Sequence, residues 1–148
     1  MKFLFVINEV FSTDLARRLK EEGHDVRLCF LDRHDSDVFD GIVEKVDDWR
    51  PFARKRDWIL VFEDTQKGRT QDALRREGKL VIGGSERGER LELDRAFGQE
   101  MCRKAGLPVV SYRDFRDFDS AIVFVRENPK RWVMKKAGRV DTRLVDYK

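Results

Sequence analysis

An unbroken apolar run from Phe3 to Ile7 opens the chain, the pattern of a strand buried on both faces of a parallel sheet. Ser12 stands as a helix N-cap, and Leu15, Ala16 and Leu19 then recur at helical spacing until Gly23 closes the helix. Val26, Leu28 and Phe30 alternate with polar residues as a second strand. Strand, helix and strand in this order predict a βαβ unit with a right-handed crossover.

The polar, acidic stretch from Asp32 to Asp40 reads as a loop, with Ile42, Val43 and Val46 as a short strand. Trp49-Arg50-Pro51 begins a turn or short helix. Trp58-Ile59-Leu60-Val61-Phe62 is the strongest buried-strand signal in the chain. A helix is predicted from Thr70 to Glu77, closed by Gly78, and a strand from Lys79 to Ile82. Strands alternating with helices give an open, mostly parallel α/β sheet. After Gly88 the pattern predicts one helix carrying Leu93, Phe97, Met101 and Ala105 and ending at Gly106. A strand at Leu107–Tyr112 follows, then a helix from Asp117 to Glu127 stopped by Asn128-Pro129, and a strand at Arg131–Lys136.

Composition narrows the class. With 148 residues, 40% of them charged and 41% hydrophobic, the chain can bury a core beneath a heavily charged surface. The 31 basic and 28 acidic side chains are interspersed and leave a net charge of +3, so no general nucleic-acid surface is implied. Cys29 and Cys102 lack CxxC spacing and read as reduced packing residues, and only His24 and His34, taken as solvated loop residues, could offer imidazoles to zinc. No apolar run reaches the length of a membrane span and no signal peptide is visible. A cytoplasmic protein acting on a small molecule, with neither nucleic acid nor membrane as partner, is expected.

From Trp58 to Gly138 the order of motifs carries a resemblance. The strand Trp58–Phe62 is followed by Gly83-x-Ser85, then Leu91-Glu92-x-x-Arg95-x-Phe97, then Gly106-Leu107-Pro108. Val133-Met134-Lys135 before Gly138 completes the series. In order and spacing this resembles the glycinamide ribonucleotide synthetase (phosphoribosylamine–glycine ligase) family of the ATP-grasp superfamily. The resemblance implies a Rossmann-like pre-ATP-grasp domain over residues 1–88 and the incomplete start of an ATP-grasp domain over residues 89–148. It also implies an ATP-dependent carboxylate–amine ligase working through an acyl phosphate in purine biosynthesis.

Such chemistry calls for cations at the phosphates of ATP and carboxylates around Mg. Arg95 falls where the family has a phosphate-contacting lysine, and Lys135 on its second nucleotide-binding lysine. Asn8, Glu9, Gly83 and Ser85 fall at the substrate-binding turns. The bland readings are an exposed ion pair between Glu92 and Arg95, a sheet-edge lysine at 135, and plain turn glycines at Gly83-Gly84.

The chain departs from the family in its first turn, which is glycine-rich and ends in arginine-glutamate-histidine there but reads Asn8-Glu9-Val10-Phe11 here. A glycine-rich loop is also replaced by Arg139-Val140-Asp141-Thr142-Arg143. The metal-binding acids and most of the adenine pocket are expected beyond Lys148, so this chain alone is expected to be inactive and to bind Mg-ATP weakly or not at all. Apolar faces after Glu89 would need cover from the first domain or a second copy, which allows a homodimer. Two further readings stay open. One is a stand-alone, non-catalytic binding module on the ligase scaffold. The other is a receiver-like domain, suggested by Glu63-Asp64 but poorly matched by Glu9 alone.

Overall fold

A computed structural model describes residues 1–134 apart from Arg33 and Gln66. Its order is β1 (Lys2–Ile7), α1 (Thr13–Glu21), β2 (Asp25–Phe30), β3 (Glu44–Lys45), α2 (Arg50–Ala53), β4 (Trp58–Phe62), α3 (Gly68–Arg76) and β5 (Leu80–Ile82). These are followed by α4 (Glu86–Leu93), α5 (Arg95–Lys104) and α6 (Phe118–Glu127). The chain divides into two compact units, one from Met1 to Glu89 and one opening at Arg90.

The first unit holds a five-stranded sheet in the order β3-β2-β1-β4-β5, with every neighbouring pair parallel. This is a Rossmann-like α/β arrangement. The apolar run of β1 serves both faces. Phe3, Phe5 and Ile7 pack with Ala16 and Leu19 of α1, and with Val26, Leu28, Ile59 and Val61. Leu4 and Val6 point the other way, to Leu60 and Phe62 of β4, Phe52 and Ala53 of α2 and Leu74 of α3. Side chains alternate faces along a strand, so a strand covered by helices on both sides must be apolar throughout.

Cys29 is buried in the second of these clusters. Burial pushes its thiol up from the ordinary range, which keeps it protonated and inert. His24 is half-buried rather than solvated, its ring 5.5 Å from that of Phe3. Among the described residues no helix is long and apolar enough to cross a membrane.

The second unit corrects the sequence reading in two places. The single helix expected after Gly88 is two, because Asp94 adopts an extended backbone and its carboxylate accepts the Phe97 N–H at 3.0 Å. That carboxylate makes a better start for a new helix than an interior residue of an old one. Gly88 lies inside α4, which begins at Glu86. The second correction concerns the strands at Leu107–Tyr112 and Arg131–Lys136. Residues 107–112 and 131–134 form neither helix nor strand, since an apolar run becomes a strand only where a ladder partner exists. Instead Trp132 packs on Phe124 of α6 at 5.3 Å and donates its indole N–H to Asn128 O at 2.8 Å.

Asp94 and Asp117 give this unit a pH dependence. Each carboxyl is held below its ordinary value, Asp94 first by the Phe97 N–H and Asp117 first by the Ser120 N–H. A carboxyl lowered on folding stabilises above its unfolded value and loses that contribution as pH falls through the folded one. Acidification below about pH 4 is therefore expected to lower the protection of the Phe97 and Ser120 amides, measured as exchange relative to the intrinsic rate at the same pH. Asp94→Asn, which still accepts the bond, should abolish the acid step at Phe97. An unchanged step in that variant would contradict the assignment.

Candidate functional site

In an open parallel sheet, ligands sit outside the carboxyl ends of the strands, where the strand order reverses. Here the chain runs outward from β1 to β2 and β3, then returns to place β4 on the other side of β1. The switch point therefore lies between β1 and β4. Two turns meet there, residues 8–12 after β1 and residues 63–65 after β4.

The described contacts between them are carboxylate against neutral donor. Asn8 Nδ2 donates to Asp64 Oδ2 at 2.6 Å, and Asp64 Oδ1 accepts from its neighbour Thr65 N at 2.7 Å. Glu63 reaches across to the head of α1. Its Oε1 accepts from Glu9 N at 3.2 Å, and its Oε2 from Ser12 N at 2.7 Å and Ser12 Oγ at 2.5 Å. Ser12 is the residue before α1, as expected, but its hydroxyl makes no bond within its own helix. The free N–H groups at a helix start attract anions, and Glu63 supplies one from the turn after β4. Bonds to a charged acceptor are worth about 1.5–3 kcal/mol each, so dislodging Glu63 requires a ligand that replaces several of them.

Gly83 and Ser85 lie at the neighbouring strand end, on the turn from β5 into α4. Gly83 has φ +150°, within the region that favours glycine. Arg75 of α3 donates to Gly84 O at 2.6 Å and Gly83 O at 3.1 Å. Asp72 accepts from Glu86 N at 2.9 Å, and Glu89 of α4 accepts from Gly68 N at 2.6 Å. Each helix thus supplies a carboxylate to the start of the other. The Ser85 hydroxyl accepts from Gly88 N at 2.9 Å, a helix cap. Gly83 and Ser85 therefore each carry a local structural task. Behind them Gln71 is wholly buried, and among the described residues neither end of its amide has a hydrogen-bond partner.

Arg95 is exposed at the first position of α5. The helix break at Asp94 puts Glu92 and Arg95 on different helices, and the ion pair formed there is Arg90–Asp94 at 3.1 Å. A cation at a helix start opposes the macrodipole, so Arg95 stands where folding alone would not favour it. Lys135 lies outside the described residues, as do Gly138 and residues 139–143. Among the described residues, no group of three or more His, Cys, Asp or Glu side chains could hold a metal ion.

The sequence therefore places Asn8 and Glu9 at the switch point, and Gly83 and Ser85 one strand further along. It misses Glu63 as the partner of Ser12. The available signal was an acidic pair directly after the most apolar strand. A surface cleft lined by Lys20, Asp40, Gly41 and Lys45 lies at the opposite edge of the sheet. Lys45 there is paired with Asp40 and Lys20 bonds to Ile42 O, so its cations are already engaged.

Comparison with known proteins extends the resemblance. Over 67 residues, 45% of this chain, the sequence is 36% identical to a phosphoribosylamine–glycine ligase of Caulobacter vibrioides. Over 67 residues it is also 29% identical to the trifunctional purine biosynthetic protein adenosine-3 of Drosophila pseudoobscura pseudoobscura. The matched segment spans 16% of the first relative and 5% of the second. No protein-family model matches the chain.

Proposed function

We propose that this chain is the N-terminal part of an ATP-dependent carboxylate–amine ligase resembling phosphoribosylamine–glycine ligase, acting in purine biosynthesis. The observation that carries the reading is the 36% identity to such a ligase, on a chain whose first unit has the Rossmann-like sheet the resemblance implies. In this chemistry a carboxylate oxygen attacks the terminal phosphorus of ATP and ADP leaves. The amine nitrogen then attacks the acyl phosphate carbon, phosphate leaves, and the nitrogen gives up a proton.

The protein's part is positioning and charge stabilisation. We assign Arg95 and Lys135 to the ATP phosphates, with Asn8, Glu9, Gly83 and Ser85 at the substrate turns. The exposure of Arg95 against the dipole of α5 supports its part in this. Residues 1–88 would form the pre-ATP-grasp domain and residues 89–148 the start of the ATP-grasp domain. Mg and most nucleotide contacts would belong to the remainder of such a ligase. The same reading places the protein in the cytoplasm, with small-molecule substrates and no nucleic-acid or membrane partner, and it allows a homodimer.

A non-catalytic binding module on the same scaffold is the second reading. It is favoured by the first turn, which has no glycine and whose helix head is already filled by Glu63.

Titration of the 148-residue chain with Mg-ATP, followed by amide NMR, tests the assignment of Arg95. The Ala96 and Phe97 amides are expected to shift with millimolar affinity, and Arg95→Ala should remove the shift. No response at saturating Mg-ATP would favour the binding module. A micromolar dissociation constant would contradict the idea that most nucleotide contacts lie elsewhere.

A further inference from the structure

Going beyond the ligase reading, we infer that α6 is a self-association surface. Two copies of this chain pair antiparallel along its Phe118, Ile122 and Val125 stripe, with Asp119 facing the partner's Arg126. Every buried apolar side chain among the described residues lies at or before Leu74, and α4, α5 and α6 bury none of theirs. The inward contact of α6 is made by Phe124, whose ring lies 5.3 Å from those of Phe115 and Trp132. Phe118, Ile122 and Val125 are spaced four and three apart, so they line a different side of the helix. They are 71%, 45% and 42% exposed. An apolar stripe at this spacing is the pattern of a helix that packs on another element.

The flanking charges select the partner. Asp119 lies in the first turn of α6 and Arg126 in the last, two turns apart and therefore on one flank of the stripe. That separation is too long for them to pair with each other, and neither side chain meets an opposite charge among the described residues. When two copies of a helix lie antiparallel about a two-fold axis, each flank meets the same flank of its partner. Asp119 then meets the partner's Arg126, Arg126 meets the partner's Asp119, and Ile122 stands at the axis. A parallel pair would bring opposite flanks together and leave both charges unmatched.

A ten-residue helix buries less than a standard interface, so the dimer is weak, with a dissociation constant of roughly 10–100 μM. The helix macrodipole also favours an acid in the first turn and a base in the last. Exchanging the two charges separates these causes.

The test is sedimentation equilibrium of the full 148-residue chain, with amide spectra to check that each variant is folded. The wild type is expected to dimerise. Ile122→Glu, which sets two carboxylates together at the axis, should leave only monomer. Asp119→Arg and Arg126→Asp should each weaken the dimer about tenfold or more. The double variant should recover to within about threefold of the wild type, because both pairs re-form with their signs exchanged. A double variant no tighter than either single one would overturn the inference and leave the charges to the macrodipole. A wild type still monomeric at millimolar concentration would overturn it as well. So would a monomer when the protein purified from its own cells is sedimented, since other chain would then cover α6. Neither ATP nor substrate enters the measurement, so its failure leaves the ligase reading standing.

Discussion

Gly83→Ala is expected to lower the stability of the first unit by roughly 2–4 kcal/mol, and its Tm by about 5–10 °C. Two costs combine. Gly83 holds φ at +150°, which an L side chain adopts only under strain. A β-carbon there would also stand 2.8 Å from Phe62 O and closer still to Gln71 Oε1. The glutamine could swing away, but the carbonyl belongs to the central sheet and cannot. Gly83→Ala combined with Gln71→Ala should therefore recover only part of the loss. Urea denaturation of the two variants measures both effects. A single variant within about 0.5 kcal/mol of wild type would show that the turn relaxes freely.

Gly68→Ala is expected to destabilise by roughly 1–3 kcal/mol, although alanine is the better helix former. Helix propensity alone would favour alanine by about 1 kcal/mol. Against this, a β-carbon on Gly68 would lie 2.5 Å from Glu86 N and 2.6 Å from Ser85 O. Both are backbone atoms at the start of α4. To make room, α3 and α4 must separate, stretching Glu89 from Gly68 N and Asp72 from Glu86 N. Overpacking of this kind costs about 1–3 kcal/mol, and losing bonds to charged acceptors adds to it. Equal or greater stability in Gly68→Ala, measured by the same denaturation, would mean that the helix starts are not tightly coupled.

These two glycines show where the sequence was legible and where it was not. The strands β1 and β4 could be read directly, because a strand covered on both faces must be apolar at every position. α1 could be read from its 3.6-residue period. Gly83-Gly84 was recognisable as a turn before a charged helix. The reason for it was not, because the Arg75 clamp and the closeness of Phe62 O depend on which strands are neighbours. Gly68 carried no signal at all, since its contact is with residues 17 and more positions away.

Leu107–Tyr112 failed in the opposite direction. Its residues suit a strand locally, but pairing is decided by a partner the apolar pattern does not specify. Asp94 shows a third kind of miss. An apolar residue every four positions hid a capping aspartate that divides the helix. At the switch point, Asn8 and Glu9 lie on the turn after β1, while the task of Glu63 depended on a contact between distant segments.

The central claim, a ligase passing through an acyl phosphate, is tested most directly by oxygen transfer. The protein purified from its own cells would be incubated with Mg-ATP, an amine and an 18O-labelled carboxylate, glycine with phosphoribosylamine being the first pair to try. The expected result is ADP formation that requires both organic substrates, with one 18O appearing in the inorganic phosphate released. ATP cleavage to AMP and pyrophosphate, or no carboxylate-dependent cleavage with any amine, would contradict the account.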